Sequence, residues 1–126
     1  MRAVLKQLRS LEAEDHPRAY SPADPTKFGT WIRLMVGPEN EPGSEAFDVL
    51  LCTPDWLRDE LVAEPRAMWG RHMLVVATYD LDAIEAEVRN AVQRCSGANW
   101  AEITQKLSKL GAWEFEDYRP HQSTSK

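Results

Sequence analysis

The chain has 126 residues, 43% hydrophobic and 28% charged, a balance that suits one folded domain and excludes a disordered or fibrous polymer. Its net charge of -5 at pH 7 argues against nucleic acid, which calls for a basic stripe, and leaves a basic protein partner open beside plain solubility. Cys52 and Cys95 lie far apart, each on an apolar run or stripe, and read as buried free thiols.

The N-terminal stretch MRAVLKQLRS carries Arg2, Lys6 and Arg9, so it lacks the continuous apolar region of a secretion signal. No apolar run is long enough to span a bilayer. The expected setting is cytoplasmic, with no membrane contact.

Arg2 to Leu11 reads as a first strand, and HPRAYSPADP (His16 to Pro25), with three prolines, as a loop. Lys27 to Gly37 is the clearest strand: Phe28, Thr30, Ile32, Leu34 and Val36 share one face, Gly29, Trp31, Arg33 and Met35 the other. The first face calls for a cover of helices. The second is half-polar and suits water or a partner. PENEPGS (Pro38 to Ser44) turns the chain, and Glu45 to Cys52 returns as the second arm of an antiparallel hairpin, with Asp48 on the half-polar side.

Thr53-Pro54 predicts a helix start, with the threonine hydroxyl as cap and the proline preset for the first turn, running to about Leu61. Gly70 to Tyr79 predicts a third central strand. Asp80 to Cys95 predicts a helix with one apolar stripe, Leu81, Ile84, Val88, Ala91, Val92 and Cys95. Asn99 to Leu110 predicts another, with Asn99 and Glu102 at capping-box spacing and Gly111 as a left-handed terminator. The alternation Trp113-Glu114-Phe115-Glu116 predicts a last strand, and HQSTSK (121–126) a polar tail. The expected fold class is α+β: one domain over 1–120, a mainly antiparallel sheet of about four strands, two C-terminal helices on one face and a short helix between strands.

No catalytic constellation stands out. His16, His72 and His121 have no metal-ligand spacing, no GxSxG or GxGxxG occurs, and GPENEPG (Gly37 to Gly43) lacks the lysine and following helix of a phosphate loop. No metal and no cofactor is expected. Carboxylates cluster at Glu12, Glu14 and Asp15, at Asp55, Asp59 and Glu60, at Glu85 and Glu87, and at Glu114, Glu116 and Asp117. Charge runs of this kind are ordinarily solvated faces. The last cluster, between Trp113, Phe115 and Tyr118, reads either as a charged sheet edge that resists aggregation or as a carboxylate row facing a basic partner.

Five segments carry a resemblance: LMVGP (Leu34 to Pro38), FDVLLCTPDWL (Phe47 to Leu57), GRHMLVV (Gly70 to Val76), the W-x6-L helix (Trp100 to Leu107) and GAWEFEDY (Gly111 to Tyr118). In order and spacing they resemble the immunity protein 8 family of bacterial polymorphic toxin systems, over nearly the whole chain apart from the tail. Residues Glu12 to Pro25 match nothing in that pattern. The resemblance implies a small non-enzymatic α+β protein that binds and neutralises a cognate toxin domain, expected to be basic and compatible with a nuclease. It transfers no list of binding residues. The candidate toxin contacts are Glu114, Glu116 and Asp117, then Trp31 and Asp48 on the uncovered sheet face. Trp56, Trp100, Trp113 and Phe115 are motif positions expected to maintain the fold. Two other functions fit the residues: a scaffolding homodimer through Trp31, Arg33 and Met35, and a small hydrolase using carboxylates near His72.

Overall fold

A computed structural model describes residues 1–13, 20–63 and 67–113 of the protein. The period-two segments pair as their patterns require. Strand β1 (Ala3–Ser10) runs antiparallel to β2 (Gly29–Pro38), which runs antiparallel to β3 (Glu45–Cys52). Helix α1 (Pro54–Ala63) follows β3 and leads to β4 (Met73–Val75). Helices α2 (Leu81–Gln93) and α3 (Trp100–Leu107) then precede β5 (Ala112–Trp113). The sheet order is β1-β2-β3-β4, with β5 also on β3. The class is α+β, as expected.

The core forms on the face chosen by alternation. Phe28, Thr30, Ile32, Leu34 and Val36 of the β2 segment are buried, with Phe47, Val49 and Leu51 of β3 and Ala3, Leu5 and Leu8 of β1. Ile84, Val88 and Val92 of α2, with Ile103 and Leu107 of α3, close over them. Both helix starts use the residues the sequence offers. The Asp80 carboxylate accepts from Ala83 N–H at 3.2 Å, and the Asn99 side-chain oxygen accepts from Glu102 N–H at 2.9 Å. Glu102 reaches back to Ala98 N–H at 2.9 Å, one residue before the donor a standard capping box would use.

Three local expectations are corrected. The stretch 70–79 is not a central strand. Only Met73–Val75 pair, parallel to Leu50–Cys52, and they lie at the sheet edge. The same side of β3 is taken at its other end by β5, through Phe47↔Trp113 and Asp48↔Ala112, so two short strands divide one edge. Gly111 is not left-handed, for Gly43 is the positive-φ glycine among the described residues. Gly111 N–H donates to the Leu107 carbonyl at 3.1 Å, and the space beside it is filled by β3. The Thr53 hydroxyl serves β2 instead: it accepts from Phe28 N–H at 3.1 Å and lies 3.4 Å from the Phe28 carbonyl.

The outer edge of β1 is partly closed. Arg2 bridges to Ser96, Gly97 N–H donates to the Met1 carbonyl at 3.3 Å, and Arg89 Nη1 donates to the Leu5 carbonyl at 3.3 Å. A register shift between Leu5 and Gln7 interrupts the strand just beyond. These devices oppose edge-to-edge pairing with another chain. No helix among the described residues is long and apolar enough to cross a membrane.

Candidate functional site

The sheet face opposite α2 and α3 keeps its middle open. At one end the Trp56 ring of α1 covers it: a Cβ at Gly29 would come within 2.3 to 2.5 Å of the indole. Only glycine leaves room there, so Trp56 docks α1 on the sheet, and no residue of α1 is itself buried. At the other end Lys6 lies against Gly37, and its ammonium donates to the Glu41 carbonyl.

Between these ends the cross-strand register builds rows. Trp31 stands opposite Leu50, and Leu11 N–H donates to the Trp31 carbonyl at 3.1 Å. Leu11 is 41% and Trp31 43% exposed, so this apolar row meets solvent. The next row is Arg9, Arg33 and Asp48. Arg33 grips Asp48 at both carboxylate oxygens, Nε to Oδ1 at 2.7 Å and Nη2 to Oδ2 at 3.0 Å. This fork geometry holds both side chains flat on the sheet. A third row is Gln7, Met35 and Ala46. Three paired strands set the spacing of all these groups, so the surface is presented in one arrangement.

Trp31 and Asp48 are thus brought onto one face, though Asp48 is already engaged by Arg33. Glu114, Glu116, Asp117 and Phe115 lie outside the described residues. The other three motif tryptophans each make contacts between elements. Trp56 seats α1. Trp100 Nε1–H donates to Glu45 Oε2 and Trp113 Nε1–H to Glu45 Oε1, both at 2.6 Å. One carboxylate at the start of β3 therefore ties the first residue of α3 to β5. Trp113 also stacks on Phe47, with ring centroids 6.1 Å apart and planes at 19°. Sequence reasoning missed Glu45. Its only signal was one acid at the start of a strand, and the two indoles that meet it are far off in sequence.

It also missed Trp69, which is 89% exposed in the connection from α1 to β4, next to exposed Met68. Counting tryptophans cannot separate such a residue from core ones.

His72, the pivot of the hydrolase reading, is a structural tie. It adopts φ 56, its carbonyl accepts Leu50 N–H at 2.8 Å, and its Nε2–H donates to the Ser108 carbonyl at 2.8 Å. No group of three or more His, Cys, Asp or Glu suited to a metal occurs among the described residues. A cavity of about 160 Å³ between α2 and the sheet is lined mainly by apolar side chains, among them Leu34, Val49, Leu74, Val88 and Leu110, with Glu87 and Arg94 also on its wall. Burial pushes both cysteine thiols up from their ordinary pKa.

No curated protein and no solved structure gives a significant match to this chain. A family model described as immunity protein 8 matches residues 4–118, which takes in all three rows of the open face and the Glu45 clamp. The chain belongs to the immunity protein 8 family.

Proposed function

We propose that the protein neutralises a cognate toxin by binding it through the part of the sheet face left open beyond Trp56, centred on Trp31. The observation that carries this reading is the exposed indole of Trp31, set between apolar neighbours and beside the bidentate Arg33–Asp48 pair. Tryptophan and arginine are enriched among binding hot spots, and burying an indole removes roughly 150–250 Å² from water. Holding the face on paired strands lowers the ordering cost of association. Membership of an immunity family supports a toxin as the partner and binding rather than chemistry as the means. The toxin meets this protein in the cytoplasm.

Glu114, Glu116 and Asp117 follow directly after Trp113 and form a second, acidic contact in this proposal. A basic toxin would use it. The test is co-expression and pull-down with the toxin domain encoded beside this protein. Capture of that domain and rescue of growth are expected, with capture lost in Trp31→Ala. A Glu114, Glu116 and Asp117 triple alanine variant tests the acidic contact by itself. If the neighbour is not captured and kills equally in the protein's presence, the reading is wrong. A concentration-dependent homodimer abolished by Trp31→Ala would favour the scaffolding alternative.

A further inference from the structure

The cavity between α2 and the sheet combines apolar sides with two opposite charges. Leu34 of β2 and Val49 of β3 line it from the sheet, Val88 from α2 and Leu110 from just beyond α3, around a volume of about 160 Å³. An apolar cavity of about 150 Å³ is large enough to admit benzene. The space therefore fits a branched aliphatic or small aromatic group.

Glu87, Ala91 and Arg94 also line it, and their spacing of four and three residues sets them along one side of α2, with Arg94 as its C-cap. Ala91 is the smallest side chain on the wall and leaves the gap between the two charged residues unfilled. Glu87 and Arg94 are exposed, and among the described residues neither side chain makes a hydrogen bond or ion pair. Seven residues separate them, about 10 Å along the helix axis, so both long side chains can reach a small molecule seated at Ala91. The wall away from α2 is braced. Met73 and Leu110 line the cavity, and close to them His72 Nε2–H donates to the Ser108 carbonyl at 2.8 Å. His72 holds a left-handed φ of 56 in this tie. Strained residues kept in place by their surroundings cluster at ligand clamps, and a preformed cavity lowers the cost of binding.

We infer that this cavity binds a free apolar α-amino acid of about the size of leucine. The side chain enters the cavity, the ammonium meets Glu87 and the carboxylate meets Arg94, whose planar fork suits it. A zwitterion answers both charges at once, whereas a simple acid or amine would face one like charge. The site lies on the helix-covered side of the sheet, so it stands independently of the toxin-binding reading.

The experiment is titration of the isotope-labelled protein with L-leucine, N-acetyl-L-leucine, L-leucinamide and glycine, followed by two-dimensional NMR. Leucine is expected to move the resonances of Val88, Ala91 and Leu110 with saturation. N-acetyl-L-leucine, which lacks the ammonium, and L-leucinamide, which lacks the carboxylate, should each bind about tenfold more weakly, and glycine should leave those resonances in place. Glu87→Gln and Arg94→Gln should each weaken leucine by about tenfold. Ala91→Leu, which fills the gap, should abolish binding. Glu87 and Arg94 are exposed, so their variants keep the test decisive if Ala91→Leu fails to fold. Unmoved Val88, Ala91 and Leu110 resonances in wild type at saturating leucine overturn the inference. Equal binding of leucine and either blocked derivative, or undiminished binding in a folded Ala91→Leu, overturns it as well.

Discussion

A methyl group at Gly111 would sit 3.0 Å from Phe47 Cβ and Val49 Cγ2 and 3.1 Å from the Asp48 carbonyl. The glycine is there for want of space, since its φ is not positive. Gly111→Ala is therefore expected to cost about 1–3 kcal/mol in chemical denaturation, and Gly111→Asn at least as much. A left-handed terminator would instead tolerate asparagine, so the pair of variants separates the two explanations. At Cys52 and Cys95, burial raises the thiol pKa, which lowers the thiolate fraction at neutral and mildly alkaline pH. Both should resist iodoacetamide in the folded protein and react promptly in denaturant, as read by mass spectrometry. The five tryptophans also part company at this scale. Trp69→Ala should leave the melting temperature unchanged, because an indole 89% exposed has little packing to lose.

At the scale of elements, the Glu45 carboxylate joins β3 to α3 and β5 through two indole N–H donors. Removing it strands both donors in half-buried sites. Glu45→Ala should destabilise by about 2 kcal/mol, with a red shift in tryptophan emission as α3 and β5 loosen. Glu45→Gln keeps one acceptor oxygen and should lose about half of that. Wild-type stability in Glu45→Ala would show that the stacking of Trp113 on Phe47 is enough. The same elements show what was legible in the sequence. The β2–β3 hairpin, the core face and the α2 stripe follow from periodicity, because burial on one side imposes a repeat. The Arg9–Arg33–Asp48 row was not legible, since it needs the register of three strands, and β1 shifts by one residue between Leu5 and Gln7. Strand β4 was overlong in the reading of 70–79, because an apolar run says nothing of an edge divided between β4 and β5. Nothing local marked Gly29 as the seat of Trp56.

For the whole molecule, the layout divides labour between two faces. The tryptophans at 56, 100 and 113 and the α2 and α3 stripes spend their surface on cohesion, while Trp31 remains on a face that no helix among the described residues covers at its centre. The family assignment was legible in the segments from Leu34 to Tyr118, whereas the interface was not, because a binding surface leaves no periodic trace. The most direct test is the affinity of the neighbouring toxin domain for wild type, Trp31→Ala and Trp69→Ala, measured together with their melting temperatures. Trp31→Ala is expected to lose about 2 kcal/mol or more of binding, roughly a thirtyfold rise in Kd, with its fold intact and Trp69→Ala near wild type. Undiminished binding and protection by Trp31→Ala would contradict it.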